Sequence, residues 1–145
     1  QRVSHASVTI DGVCKSAIKE GFMILVGIEE ADNQEDAEWL CKKVINLRVF
    51  DDENGVMNKS ILDIDGNILV ISQFTLHASY KKGNRPSYIH AAKPDIAIPL
   101  YEYFCQILSE GLGKEIGTGK FGADMKVELL NNGPVTICMD SKNKE

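Results

Sequence analysis

The segment Asn67-Ile68-Leu69-Val70-Ile71-Ser72-Gln73-Phe74-Thr75-Leu76 constrains this chain more than any other. The unbroken aliphatic run Ile68 to Ile71 can be buried all at once only in a strand covered on both faces. Polar residues then enter abruptly with Ser72, Gln73 and Thr75, so core and polar edge meet at one strand end. A second run, Phe22-Met23-Ile24-Leu25-Val26-Gly27-Ile28, has the same character and reads as another doubly covered strand. Both are far shorter than the roughly 18 apolar residues of a membrane-spanning helix, so no membrane partner is expected.

The remaining segments place these strands in a mixed fold. Val3, Ala6, Val8 and Ile10 lie among Ser4, Ser7 and Thr9, and Asp11-Gly12 then signals a turn. Val13 to Ile18 follows, with a second turn signal at Glu20-Gly21, so the opening reads as an antiparallel meander. Asp32 and Glu35 resemble a capping box ahead of a helix. Its apolar stripe is Ala37, Leu40, Cys41, Val44 and Ile45, and it fades near Arg48. Asp65-Gly66 after Ile61, Leu62 and Ile64 is a hairpin signal. Pro94-Asp95 opens a second helix, with Pro99 near its first turn and Gly111 and Gly113 at its end. A strand is expected around Glu115 to Thr118, then a turn at Gly119 to Gly122. Met125, Val127 and Leu129 alternate with Lys126 and Glu128, and Asn131 to Pro134 breaks that strand. Val135 to Met139 is expected to be the last strand, and Lys142 to Glu145 a frayed tail. Short strands with two helices give an α+β class with mostly antiparallel pairing, in a single domain spanning 1–145.

Charge and motif content exclude several activities. Lys and Arg number 16 and Asp and Glu 21, a net charge of −5. Such a chain does not wrap long nucleic acid through its phosphates, although contact with a short nucleic-acid end is compatible with it. Cys14, Cys41, Cys105 and Cys138 form no Cys-x-x-Cys pair and read as reduced core residues in a reducing, cytosolic protein. The start Gln1-Arg2-Val3-Ser4-His5 has no charged region leading into an apolar stretch, so no secretory signal is expected. His5, His77 and His90 fall in no zinc motif, and neither a metal nor another cofactor is expected. There is no Gly-x-Ser-x-Gly elbow and no phosphate-binding loop. Gly117-x-Gly119-x-x-Gly122 fits a dinucleotide pattern by letter, but it precedes a strand and reads as a turn. Two polar interruptions remain. Ser72-Gln73-Phe74-Thr75 is either the outer face of a half-buried strand or a strand end presenting amides and hydroxyls to a pocket. Asn131-Asn132-Gly133-Pro134-Val135-Thr136 reads locally as a turn.

Taken together, the motifs resemble the D-aminoacyl-tRNA deacylase family over essentially the whole chain. The resemblance runs through Gln1-Arg2-Val3, Ala6-Ser7-Val8, Gly27-Ile28-Glu29, Leu47-Arg48-Val49-Phe50 and Met57-Asn58. It continues through Ser72-Gln73-Phe74-Thr75-Leu76, Lys82-Gly83-x-Arg85-Pro86-Ser87, Thr118-Gly119-x-Phe121-Gly122-Ala123-Asp124-Met125 and Asn132-Gly133-Pro134-Val135-Thr136. Each piece is weak alone; in this order and spacing they are highly specific. The resemblance implies a barrel-like, dimeric α+β protein that hydrolyses the ester between a D-amino acid and the 3′-terminal adenosine of tRNA. It assigns catalysis to Ser72, Gln73, Phe74 and Thr75, with Thr75 a positioning residue or a nucleophile. It assigns chiral selection to Gly133 and Pro134, joined by a cis bond and reaching the pocket of the other subunit. Arg2 would brace that loop, Phe121 and Met125 would line the pocket, and Lys81, Lys82 and Arg85 would meet tRNA phosphates. Glycyl-tRNA, including glycine mischarged on the alanine tRNA, would also be cleaved. His77, Ser79 and Asn84 stand where the family more often has Tyr, Asp and Arg, which bears on loop contacts rather than on the chemistry.

Other readings are a relative with a trans Gly-Pro bond that clears L-alanine mischarged on tRNA, a DNA-binding module, and a dimeric scaffold without turnover. The first is disfavoured by the Asn132-to-Thr136 pattern and the second by the acidic balance.

Overall fold

In the computed structural model, which describes every residue from Gln1 to Glu145, the chain opens with one long hairpin. Strand β1 (Arg2–Ile10) reverses at Asp11-Gly12, both at positive φ (50° and 77°), and β2 (Val13–Ile18) returns antiparallel. Positive φ at both central residues matches the twist of the flanking strands. Ala6 faces Ile18, Val3 faces Gly21 and Arg2 faces Phe22, so the register of β2 carries straight into β3 (Gly21–Val26). The expected three-stranded meander is therefore a single returning arm, bent at Lys19-Glu20. Gly21 allows the bend. It has φ 156°, and a Cβ there would collide with the Asn67 carbonyl of the neighbouring strand.

Strand β3 pairs in parallel with β6 (Asn67–Ser72), from Gly21 opposite Asn67 to Val26 opposite Ser72. Parallel pairing demands a crossover. Helix α1 (Gln34–Asn46) supplies it, followed by a small hairpin of β4 (Phe50–Asp51) and β5 (Met57–Lys59). A second crossover through α2 (Pro94–Leu112) brings β7 (Gly117–Thr118) parallel to β6, and β8 (Lys126–Asn131) lies antiparallel to β1. The sheet is thus antiparallel around β1 and parallel from β3 to β7. The two-sided burial of Ile68 to Ile71 is that of a parallel strand. Ile68 and Val70 join the helix-facing core with Phe104 and Leu108, while Leu69 and Ile71 join Val3, Val8 and Met23 on the other face. Ser16 Oγ donates to the Thr118 carbonyl (2.9 Å) and accepts from its amide (3.3 Å), which stitches β2 to β7 and curls the sheet nearly closed.

Several local expectations shift. The cap of α1 is Asn33 rather than Asp32: its Oδ1 accepts from the Glu35 and Asp36 amides, and Asp36 returns a bond to the Asn33 amide. Asp32 is engaged elsewhere, accepting from the Glu29 amide at 2.8 Å. The stripe of α1 is as expected, with Ala37, Cys41 and Ile45 buried. Ile61 to Asp65 form a turn rather than a hairpin arm, because the Asp63 carboxylate takes the Ser60 amide (2.8 Å) and buried Ile61 plugs the core. Helix α2 runs on through Gly111 and ends at Gly113 in the left-handed conformation (φ 77°), and Pro99 lies one turn further in than expected. Val135 to Met139 forms no regular strand. The tail docks on α1 instead of fraying, with Lys142 Nζ 2.9 Å from Asp36 and Lys144 Nζ 4.7 Å from the Trp39 ring centre. Of the cysteines, Cys41 is buried and Cys105 half-buried, whereas Cys14 and Cys138 are exposed and not core residues. Burial raises the Cys41 thiol to about 12 and the Cys105 thiol to about 11.

Candidate active site

The site begins where β6 stops. The Gln73 amide gives β6 its last bond to β3, to the Val26 carbonyl at 2.8 Å. The chain then tightens into a 3₁₀ turn, Phe74–His77, with Leu76 N–H on the Gln73 carbonyl (3.3 Å) and Ala78 N–H on the Thr75 carbonyl (3.1 Å). Strand β6 ends at Ser72, although the segment reads on to Leu76, because its partner β3 ends at Val26, leaving no ladder to extend. No side chain caps the turn, and the amides of Phe74 and Thr75 at its start have no backbone acceptor. The Gln73 side-chain amide donates to Thr75 Oγ1, so that hydroxyl is held.

A cleft of about 270 Å³ opens beside this turn. Ser72, Gln73 and Phe74 form one wall, and the loop after β7 forms the other with Phe121, Asp124 and Met125. Both walls are supported from the core. Tyr101 donates its hydroxyl to the Val70 carbonyl (3.1 Å), and its ring lies 6.1 Å from that of Phe121. Burial raises the Tyr101 hydroxyl well above its ordinary value, keeping it a donor. Met125 packs its sulfur across Gly119, where a Cβ would displace it. At the rim Phe74 stays 55% exposed and meets Tyr88 edge-on, with ring centres 5.0 Å apart. No group of three or more His, Cys, Asp or Glu side chains is placed to hold a metal ion.

Of the residues singled out from sequence, Ser72, Gln73, Phe74, Phe121 and Met125 line this one cleft, with Thr75 on the adjoining turn. Gly133, Pro134 and Arg2 do not line it in their own chain. They form a second assembly. Arg2 is 8% exposed and straddles the Gly133–Pro134 loop. Its amide donates to the Val135 carbonyl (3.1 Å), its carbonyl accepts from the Asn132 amide (2.9 Å), and its Nε donates to the Asn132 carbonyl (2.9 Å). Nη1 reaches the buried Val49 carbonyl (2.7 Å) and Asp51 (3.4 Å). The Gly133–Pro134 bond is cis. Lys81, Lys82 and Arg85 sit exposed and without ion pairs on a loop closed by reciprocal 2.8 Å bonds between Ser79 and Ser87. Three site features escaped the sequence reading: Gly27 in the cleft wall, Tyr88 on Phe74, and the His77–Glu29 pair at 3.1 Å. Gly27 had a signal, since an isolated glycine within an apolar strand marks close backbone approach. The other two join residues with no local pattern linking them.

Residues 1–140 match the model of a family described as D-Tyr-tRNA(Tyr) deacylase. A Phocaeicola vulgatus protein named D-aminoacyl-tRNA deacylase is 88% identical over 145 residues, covering 100% of this chain and 97% of that one. A protein of the same name from Bacteroides fragilis is 79% identical, with the same coverage. A solved structure described as "c-Myc DNA Unwinding Element Binding Protein" superposes with a TM-score of 0.89 at 43% identity, over 94% of this chain and 93% of that one. Another, described as "a probable eukaryotic D-amino acid tRNA deacylase", shares the fold at 15% identity, with a TM-score of 0.79 over 92% of both chains.

Proposed function

Because this chain belongs to the D-Tyr-tRNA(Tyr) deacylase family, we propose that it is a cytoplasmic enzyme of translation quality control that hydrolyses D-aminoacyl-tRNA at the cleft beyond β6. The observation that carries the proposal is the convergence of Ser72, Gln73 and Phe74 with Phe121 and Met125 around one cleft. An aminoacyl ester is already activated, so water needs alignment and an oxyanion site more than a strong nucleophile. The acceptor-free amides of Phe74 and Thr75 are suited to take the carbonyl oxygen as charge develops on it. The terminal 2′-hydroxyl of the tRNA would assist the attacking water. Thr75 acts as a positioning residue: its hydroxyl is engaged by Gln73, and no base is hydrogen-bonded to it, as a covalent nucleophile requires.

Chiral selection, in this reading, comes from the Gly133–Pro134 segment of a second copy of the chain meeting the cleft. Leu130 and Ile137, on either side of that segment, are 53% and 45% exposed, which supports a partner surface there. An L-residue would drive its Cβ into fixed backbone, while a D-residue would point its side chain to solvent. Thousandfold exclusion needs about 4 kcal/mol. One hydrophobic contact supplies only roughly 1–3 kcal/mol, so rigid backbone is the better gauge. Glycine has no Cβ and escapes it, so glycyl-tRNA is also cleaved, including glycine on the alanine tRNA. Lys81, Lys82 and Arg85 would touch phosphates near the acceptor end. With a net charge of −5, tRNA affinity is weak and salt-sensitive.

The test is deacylation of D-tyrosyl-, L-tyrosyl- and glycyl-tRNA, with a D-tyrosyl-tRNA ending in 2′-deoxyadenosine as a fourth arm. Rapid loss of the D- and glycyl esters with the L-ester spared is the expected result. Equal clearance of D- and L-esters would remove the gauge, and full activity on the deoxy substrate would remove assistance by the 2′-hydroxyl. The structure described by its DNA unwinding element motivates a DNA-binding reading, which the acidic balance opposes; tight, salt-resistant duplex binding without turnover would favour it.

A further inference from the structure

The turn that carries Gln73 and Thr75 has little packing of its own. None of its residues Phe74–His77 is buried, and Phe74 and Leu76 are 55% and 54% exposed. What fixes its far end is His77. The His77 Nδ1 lies 3.1 Å from Glu29 Oε1. The ring rests on the backbone of Gly27, where a Cβ would come within 2.8 Å of His77 Nε2 and 3.1 Å of the Gln73 carbonyl oxygen. Gly27 therefore makes room for both ends of the turn at once. Glu29 is itself anchored, its amide on the Asp32 carboxylate (2.8 Å) and its backbone bridged to Ala91. His77 Nε2 is buried and has no partner. With Nδ1 turned to the Glu29 carboxylate and Nε2 against Gly27, the imidazole is not presented to Thr75 as a base.

We propose that His77 is a positioning residue, which through its 3.1 Å contact with Glu29 clamps the Phe74–His77 turn to the Gly27–Glu29 segment and so fixes the geometry of Gln73 and Thr75. The proposal rests on the deacylase reading of the cleft. A misplacement of about 1 Å can cost on the order of a hundredfold in rate, so loosening this turn acts on kcat rather than on tRNA affinity.

The experiment compares wild type with H77A, H77N, E29A and H77A/E29A in two measurements. One is kcat and KM for D-tyrosyl-tRNA; the other is hydrogen exchange of the Phe74–Ala78 segment in the folded proteins. H77A and E29A should each lower kcat roughly tenfold to a hundredfold with KM within about twofold. The double variant should be no worse than either single one, since both break the same pair. H77N carries an amide N–H near the place of Nδ1 and should recover to within about threefold of wild type. Exchange at the Leu76 and Ala78 amides should quicken in H77A and E29A and not in H77N. An unchanged kcat in H77A, an H77N as impaired as H77A, or multiplicative losses in the double variant would each overturn the clamp. An inactive wild type would instead defeat the deacylase reading, and the exchange data alone would then decide whether the pair holds the turn.

Discussion

Replacing Arg2 with Met removes the charge that straddles the Gly133–Pro134 loop while keeping most of the side-chain volume. The loss can be worked out contact by contact. The bond from Nη1 to the Val49 carbonyl (2.7 Å) is buried, and its removal strands an acceptor that water does not reach. A stranded buried acceptor costs about 1–3 kcal/mol. The bond from Nε to the Asn132 carbonyl (2.9 Å) is partly exposed, so water replaces some of it and about 0.5–1.5 kcal/mol is lost. The Asp51 contact is long (3.4 Å) and its carboxylate is 55% exposed, so it adds little. The sum is about 1.5–4.5 kcal/mol, or roughly 6–18 °C in melting temperature at about 4 °C per kcal/mol for a chain of this size. Arg2→Lys should recover only part of this, because one ammonium cannot serve both carbonyls from the positions of Nε and Nη1. Urea unfolding of the two variants, with D- against L-tyrosyl-tRNA turnover on the same samples, checks the reasoning. Selectivity should fall in both variants, more in Arg2→Met. A stability change under about 1 kcal/mol in Arg2→Met, or Arg2→Lys equal to wild type, would refute it.

Other perturbations test other parts of the fold. Gly21→Ala places a methyl against the Asn67 carbonyl at a backbone angle suited to glycine, and should destabilise by more than about 3 kcal/mol or abolish soluble expression; a wild-type melting curve would show that β3 and β6 lie further apart. Acid should weaken the fold through several carboxylates. Burial pushes Asp36 up, but bonds from Lys142 and the Asn33 amide outweigh it. The amides of Val56 and Asn54 hold Asp52 down, the Ser60 amide and hydroxyl hold Asp63, and Lys114 holds Asp65. Groups held below their unfolded value of 3.8 stabilise fully above that pH, and the contribution is lost as pH falls through the lower folded values. Asp32 is raised chiefly by burial and opposes the trend. The urea midpoint should therefore be lower at pH 3 than at pH 7, and equal midpoints would contradict this balance. Deleting Lys142 to Glu145 should change stability by less than about 1 kcal/mol while shifting Trp39 fluorescence, since it removes an exposed ion pair and the cation over the ring; an unchanged spectrum would mean the tail is undocked in solution. Thr75→Ala should reduce turnover without a burst in wild type; near-total loss paired with a wild-type burst would restore the covalent route.

Much of the architecture was legible in the chain. The stripe Ala37, Cys41, Ile45 needed only a helical period, and its buried face is the one the spacing marks. The aliphatic run Ile68 to Ile71 specified a doubly covered strand, and its side chains do alternate between two cores. The residues of the candidate cleft were named in advance because several short motifs recur in one order, not because any one of them carries a local signature of a site. The misplaced details are those where equivalent local signals compete. Asp32 and Asn33 are both good caps, and the choice fell to Asn33 once the Glu29 amide claimed Asp32.

Periodicity and turn chemistry are short-range properties, so the amino-acid order alone marked both helices, the long strands and the apolar faces of each, while short segments such as Val135 to Met139 were decided by their surroundings. Pairing is not short-range. That β3 lies parallel to β6, and that Arg2 grips Asn132 at a sequence separation of 130, depends on which apolar faces can be covered together. Gly21 and Gly27 show the physical reason. Neither segment names the neighbour its glycine must admit, and only the close approach of Asn67 to Gly21 and of His77 to Gly27 makes the missing Cβ decisive for where β6 begins and where the turn beyond it packs.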